Sequence, residues 1–311
     1  MLAGFFSDDF PERMDPMTVK EFRQGLRARQ FVLPFVVLQV VMFGVALVEW
    51  VDLSDGTADW GLFGERTRRY APTFWSGVAF MLLVVIPFSR FFDLQQEFSG
   101  RNAELLMLSG VNRWRIVRGK WMVSMFMSLL VLVSVLPYLM LRYFYGGLEW
   151  APNLVIGLGV VVNGAVLSAL VIGVSAFEST TARIAMLMGG GLVTVVCVSG
   201  PAIASAGLLE QAGGAWFLLA MVAANGLAAS VLLCILGLQL ARVKLRVYED
   251  PLDPAPSSQV VVLYLFTPVL VGLPALMCGF PGIASSVLFS WIALLIDRPP
   301  KATERALYAQ P

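Results

Sequence analysis

The sequence predicts an all-α integral membrane protein: a polytopic bundle of about eight transmembrane helices, preceded by an amphipathic helix in the membrane interface. Composition is the first observation behind this prediction. The 311 residues are 58% hydrophobic and only 14% charged, and their mean hydropathy is +0.77. Soluble domains are about half apolar and about a quarter charged. The second observation is that uncharged stretches long enough to cross a bilayer recur along the chain.

The predicted spans follow from these stretches, since a crossing helix needs about 20 mainly apolar residues. Uncharged runs of that size lie at 30–48, 70–89, 121–141, 150–177, 184–209 and 211–241. A longer run, 254–296, carries the sequence CGFPG at 278–282, and Gly and Pro break helices. We therefore predict two helices there, at about 259–278 and 281–296. Because the second is short, seven spans plus a re-entrant segment is the alternative.

The distribution of basic residues predicts the orientation. With the N-terminus inside the cell, 18 of the 22 Lys and Arg residues fall in cytoplasmic segments. Arg66, Arg68, Arg69 and Arg142 fall outside. Cytoplasmic loops of membrane proteins carry such an excess of Lys and Arg, so we expect a cytoplasmic N-terminus.

The same pattern divides the chain into segments. We expect an N-terminal tail at 1–14 and a six-span core at 15–247 that contains a cytoplasmic loop at 89–120. A Pro-rich cytoplasmic linker at 248–258 and a C-terminal helical hairpin with a tail at 259–311 follow. The outer loops are too short to hold a folded extracellular domain.

The sequence contains no histidine. This absence excludes Ser-His-Asp triads, Cys-His nucleophile pairs and zincin-type metal sites. The cysteines Cys197, Cys234 and Cys278 lie far apart in apolar stretches, which predicts that they are small buried side chains. We therefore predict neither catalytic residues nor a metal site.

The segment 15–30, DPMTVKEFRQGLRARQ, predicts the amphipathic helix. Asp15 suits the N-cap and Pro16 the first helical position. At 100° per residue the apolar residues share one face and the cations lie along its flank, which is typical of a helix in the membrane interface beside anionic lipid headgroups. A positively charged flank of the first span is the alternative. The residues of the predicted interfacial helix are Val19, Lys20, Phe22, Arg23, Leu26 and Arg27.

The stretch ELLMLSGVNRWRIVRGK at 104–120 lies in the cytoplasmic loop and is unusually apolar. Asn102 can cap a short helix and Gly110 can end it. Two helical turns are not stable alone in water. Leu105, Leu106 and Leu108 would each gain about 1.5–3 kcal/mol on full burial, as would Met107. We therefore expect one side of this helix to pack on the protein and the other to dock on a soluble partner.

The next helix begins after Asn112 and runs into the third span. Its first residues are strongly basic and would anchor the span at the cytoplasmic surface. These anchor residues are Arg113, Arg115, Arg118 and Lys120.

In the residues of 15–29 and 104–120, the chain resembles a membrane subunit of an ATP-binding-cassette (ABC) transporter of the ABC-2 permease type. The segment 15–29 is similar to that family's N-terminal connecting helix, and 104–120 to a stretch that usually reads Thr-x-Glu-Leu-Leu-Leu-Leu-Thr-Pro-Leu-Ser-x-x-x-Ile-x-x-Gly-Lys. The matching residues are Glu104, Leu105, Leu106, Leu108, Ile116, Gly119 and Lys120. The departures are Asn102 and Ser109 for the two Thr, Gly110 for the Pro and Asn112 for the Ser. The resemblance covers about 14–247, so the last two spans lie outside it.

The resemblance implies a multi-pass permease subunit in a bacterial inner (cytoplasmic) membrane that works as an exporter. Its implied partners are membrane lipids, an ABC ATPase subunit, and a second copy of the chain or a related permease; no nucleic acid is expected. The implied coupling helix to the ATPase comprises Asn102, Glu104, Leu105, Leu106, Met107, Leu108, Ser109 and Gly110. ATP and Mg²⁺ would then bind the partner, because Gly119-Lys120 is followed by Trp121 and lacks the preceding Gly of a phosphate loop.

Polar residues within the predicted spans have two interpretations. Asn163 and Asn225 either hydrogen-bond neighbouring helices, which we favour, or line a substrate path. Ala165, Ala169 and Gly173 recur at every fourth position and permit close helix approach, within the chain or across a dimer.

Two other classes of function compete with the permease. A membrane scaffold that docks a soluble partner without transport predicts the same apolar helix at 102–110. A membrane enzyme is disfavoured, because histidine is absent and no acidic pair occurs within a span.

Overall fold

A computed structural model describes residues 16–54, 72–94, 113–144, 150–177, 179–199, 216–249, 257–274 and 280–296. Throughout these residues the regular structure is helical, without a strand. The α-helices are α1 Pro16–Arg27, α2 Arg29–Ser54, α3 Pro72–Phe80, α4 Arg113–Phe144, α5 Trp150–Ser175, α6 Thr180–Thr194, α7 Trp216–Glu249, α8 Ser257–Thr267 and α9 Phe280–Leu295. Three π-helical segments continue α3, α6 and α8: π1 Met81–Val85, π2 Val195–Ser199 and π3 Pro268–Gly272. A short turn, Ile86–Phe88, follows π1.

In the described part of the chain, five helices are long and apolar enough to cross a membrane. They are Arg29–Leu47, Trp114–Leu141, Ile156–Ser175, Thr180–Val198 and Ala220–Leu245. Three shorter apolar stretches, Phe74–Phe88, Ser258–Gly272 and Phe280–Leu295, coincide with the remaining predicted spans. The helical membrane-protein class is therefore supported, while the count of eight crossings stays a prediction.

The helices fall into two compact units. The first comprises residues 1–93 and 108–168, and the second comprises 94–107 and 169–311. The division falls within α5, at 168/169, rather than at the predicted linker 248–258. The last two helices therefore belong to the same unit as α6 and α7.

The core of the first unit forms where α2, α3 with π1, and α4 face one another. Its fully buried side chains include Met42, Val78, Leu82, Val123 and Val131. Large apolar side chains on the opposite side of α2 are exposed, as expected for a helix that faces lipid. A buried hydrogen bond links α3 to α5, where Trp75 Nε1 donates to Asn153 Oδ1 at 2.8 Å.

The second unit is built on a close contact between α5 and α7. A Cβ atom at Gly237 would lie 2.8 Å from the carbonyl carbon of Ala169, and one at Gly173 would collide with the Gly237 carbonyl oxygen. Ala169 and Gly173, two of the spaced small residues of α5, thus meet α7 within the chain. Helices α8 and α9 also pack on α7, and α9 turns the small buried residues Gly282, Ser286 and Ala293 inward.

The prolines within the helices behave in two ways. Pro34 and Pro137 lie inside α2 and α4, which continue as α-helices around them. By contrast, Pro268 opens π3, and Pro87 follows π1 by two residues. Because proline lacks the N–H of the α-helical pattern, an adjacent π-helical turn is a physical response to it.

Candidate functional site

Four charged residues meet in the first unit, on α1 and on the two elements that flank the predicted cytoplasmic loop. Glu21 belongs to α1, Arg90 and Asp93 follow Ile86–Phe88, and Lys120 is the eighth residue of α4, in its third turn. We name these four residues the charge cluster. Asp93 lies just before the loop segment 95–112, and Lys120 lies eight positions after it.

The ion pairs of the charge cluster form a closed ring. Glu21 Oε1 lies 3.2 Å from Lys120 Nζ, and Glu21 Oε2 lies 3.2 Å from Arg90 Nη1. Asp93 Oδ2 lies 2.8 Å from Arg90 Nη1 and 3.9 Å from Lys120 Nζ. Each cation therefore contacts both carboxylates, and the four formal charges sum to zero.

The charge cluster is largely withdrawn from solvent. The exposed fraction of the side chain is 2% for Lys120, 8% for Arg90, 13% for Glu21 and 22% for Asp93. A buried ion pair contributes little net stability compared with apolar packing, but removal of one partner costs about 3–5 kcal/mol, since it leaves an unpaired charge. The cluster therefore fixes one arrangement of its three elements.

Local packing brings α1 close enough for these pairs to form. Gly25 lies one turn after Glu21, and a Cβ atom there would collide with the Met127 methyl group and lie 3.2 Å from Arg90 Nη2. Phe22 packs edge-on against Phe126 of α4, with ring centroids 5.9 Å apart. The absence of a side chain at position 25 and this aromatic contact hold α1 against α4.

The residues of the predicted interfacial helix occupy different environments. Phe22 and Leu26 pack against the protein core, and Val19 is half-buried. Arg23 and Arg27 are exposed, whereas the side chain of Lys20 lies outside the described residues. The apolar face of α1 is thus directed at the protein, rather than solely at lipid tails.

The predicted anchors of the third span also differ among themselves. Arg115 and Arg118 are exposed, as expected for residues at a membrane surface. Lys120 is instead buried in the charge cluster. The Arg113 side chain and the whole predicted coupling helix, Asn102 to Gly110, lie outside the described residues.

The two intramembrane asparagines each bond to their own helix. Asn163 Nδ2 donates to the Gly159 carbonyl, and Asn225 Nδ2 to the Met221 carbonyl, both at 2.9 Å. An interhelical hydrogen bond comes instead from Gln39, whose Nε2 donates to Ser134 Oγ at 2.9 Å.

A second group of cations lies in the second unit, around the turn that connects α5 to α6. Arg183 is fully buried, and its Nε donates to the Phe177 carbonyl at 2.6 Å. Lys244 Nζ lies 4.6 Å from the centre of the Phe177 ring, within the range of a cation–π contact. Phe177 thereby links α7 to the α5–α6 turn.

Sequence reasoning did not single out Glu21 or Asp93. A signal was present, because Glu21 is the one acidic residue in the basic stretch 16–30, and Arg90 and Asp93 are spaced i, i+3. Counting only Lys and Arg to orient the spans passes over such acidic residues.

No group of three or more Cys, Asp or Glu suited to a metal ion occurs among the described residues. Comparison with protein-family models, with curated proteins and with solved structures returns no match.

Proposed function

We propose that the chain is the transmembrane permease subunit of an ATP-driven ABC exporter. In this proposal it forms the substrate pathway and couples to a separate ATPase subunit through residues 102–110. The observation that best supports the proposal is the charge cluster, which joins both flanks of the loop 95–112 to the N-terminal helix. A docking helix is useful in a transporter only when its displacement reaches the spans, and the cluster provides that connection.

The charge cluster would transmit a movement of the loop to the neighbouring spans. Arg90 and Asp93 directly follow the second predicted span, 70–89, and Lys120 directly precedes the third, 121–141. Separation of these elements would leave a buried charge unpaired at a cost of about 3–5 kcal/mol. Displacement of 102–110 therefore moves both spans and α1 together. ATP and Mg²⁺ bind to the partner subunit, and their turnover shifts the spans between two arrangements that open to opposite sides of the membrane.

The remaining features of the proposal follow from the sequence. The family resemblance implies a bacterial inner membrane, and the excess of Lys and Arg in the predicted cytoplasmic segments favours a cytoplasmic N-terminus. Two copies, or one copy and a related permease, enclose the pathway. Exposed apolar side chains on α2 and α9 suit contact with lipid or with that second subunit.

The test combines co-purification with ATP turnover. The chain is expressed with its candidate ATPase, as the parent and as Leu105→Asp/Leu108→Asp. A matched control, Gln95→Asp/Gln96→Asp, adds the same two charges to the same loop outside 102–110. We expect the leucine variant to insert normally, lose the ATPase and lose coupled turnover, while the control keeps both.

Two outcomes contradict the proposal. If the leucine variant retains the ATPase as well as the control does, residues 102–110 are not the coupling helix. If the parent binds a soluble partner whose ATP turnover does not respond to the permease, the chain is a membrane scaffold instead.

A further inference from the structure

Two helices of the second unit share the same unusual local structure. Helix α6 ends at Thr194 and continues as π2, and helix α8 ends at Thr267 and continues as π3. Both threonines are buried. Each hydroxyl donates to the carbonyl four residues earlier at 2.9 Å, Thr194 to Gly190 and Thr267 to Leu263.

Each feature of this structure weakens a helix. Hydroxyls that bond back to the i−4 carbonyl compete with the main-chain hydrogen bond and often bend the helix. π-Helical turns are rare and occur frequently at functional sites. In α8 the effect is increased, because Pro268 cannot donate a main-chain hydrogen bond. Thr194–Ser199 and Thr267–Gly272 are therefore the places where these two spans bend most easily.

Neither a hydroxyl nor a proline alone produces this structure. Ser286 and Ser290 of α9 bond back to i−4 carbonyls at 2.8 and 2.7 Å, yet α9 stays α-helical. Pro34 lies within α2, which also stays α-helical. In the first unit, π1 follows Phe80 rather than a threonine. In the described chain the combination of a buried threonine and a following π-helical segment thus occurs on α6 and α8.

The two weak points are in contact with each other. π2 packs directly on π3. About one turn before these segments, the buried ring of Tyr264 on α8 lies against Gly190 on α6, where a Cβ atom would be 3.2 Å from Tyr264 Cε1. Helices α6 and α8 are thus in contact just before their π-helical segments, and π2 and π3 are in contact after it.

We infer that π2 and π3 form a paired hinge at which the fifth and seventh predicted spans bend together. This inference rests on the proposed function and deepens it, because it assigns the moving part of the transport cycle. π2 begins about 22 Å along its helix and π3 about 16 Å along its own, at 1.5 Å per residue. With the predicted orientation both helices begin at the cytoplasmic side, so π2 and π3 lie on the outer side of Gly190 and Tyr264.

Amide hydrogen exchange measured by mass spectrometry tests the hinge in the full chain in lipid nanodiscs. Pro268→Ala restores a main-chain donor in π3, and Thr194→Val removes the back-bonding hydroxyl before π2 with little change of shape. We expect each variant to slow exchange by about tenfold in its own π-helical segment. Because the segments are in contact, each variant should also slow exchange in the opposite segment, 195–199 or 268–272.

Two matched variants serve as controls. Pro34→Ala removes a proline from a regular α-helix, and Ser290→Ala removes a back-bonding hydroxyl from another. Neither should alter exchange at 195–199 or 268–272. If Pro268→Ala or Thr194→Val slows exchange only on its own helix, or not at all, the paired hinge is refuted.

The exchange experiment requires no ATPase, so its result is separate from the proposed function. If exchange slows in both segments together but the chain binds no ATPase, the hinge is supported and the permease proposal is refuted. If the chain binds and stimulates an ATPase but exchange does not slow in both segments together, the hinge is refuted and the permease proposal stands.

Discussion

The geometry of the charge cluster predicts how much substitution of Glu21 or Lys120 lowers the free energy of unfolding. Their charged atoms are 3.2 Å apart, and at an effective dielectric constant of about 20 this distance corresponds to about 5 kcal/mol of attraction. Desolvation offsets much of that attraction in the intact pair. Glu21→Gln leaves the remaining three residues with one excess positive charge, and Lys120→Met leaves one excess negative charge. We expect each single substitution to lower the free energy of unfolding by about 3–5 kcal/mol.

The double variant Glu21→Gln/Lys120→Met should behave differently. It leaves Arg90 and Asp93 paired at 2.8 Å with no excess charge. Its cost should therefore fall below the sum of the two single costs by about 2–3 kcal/mol. Equilibrium unfolding in mixed detergent micelles measures all four proteins of this cycle.

A control substitution and a functional measurement complete the test. Arg118→Met removes an exposed cation from the same helix and should change stability by no more than about 0.5 kcal/mol. If the proposed function holds, ATP turnover by the partner ATPase should fall in both single variants and partly recover in the double variant. Single costs below about 1 kcal/mol, typical of an exposed ion pair, or strictly additive costs, would refute the reasoning.

Three further predictions concern packing and topology. Gly237→Ala should destabilise the chain by about 1–3 kcal/mol because its new methyl group meets the backbone of α5, while Gly191→Ala, which faces open space, should be neutral or stabilising in the same unfolding assay. Asn153→Ala should cost about 1–2 kcal/mol and shift the emission of its buried tryptophan partner, whereas Asn163→Ala, which loses a bond within its own helix, should leave tryptophan emission unchanged. In a chain without its native cysteines, Ser7→Cys should react with a membrane-impermeant maleimide only after the membrane is opened; labelling of intact cells would reverse the predicted orientation.

Hydropathy and helix-breaking residues account for most of what the sequence could predict of the fold. Within the described residues the long uncharged runs correspond to helices, and the predicted helices 259–278 and 281–296 overlap α8 with π3 and α9. The spacing of Ala169 and Gly173 indicated a close helix contact. Its partner Gly237 was not predictable, because the small residues of one helix carry no information about which other helix fits against them.

The candidate site was harder to predict for a related reason. An ion pair such as Glu21 with Lys120 joins residues 99 positions apart, and helix packing, rather than local sequence, selects the pairing. The prolines show the same limit. Pro34 and Pro268 look alike in the sequence, yet only the second opens a π-helical segment, after a buried Thr267.

The zero net charge of the charge cluster also has an electrical consequence. A unit charge that crosses the full membrane potential gains or loses about 2.3 kcal/mol per 100 mV. Because the ring holds two positive and two negative groups, it can shift along the membrane normal as one body with almost no electrical work. Under the proposed function, the membrane potential would therefore contribute little to a movement that passes from residues 102–110 into the helices, and neutralising any one of the four groups would make that step voltage-dependent.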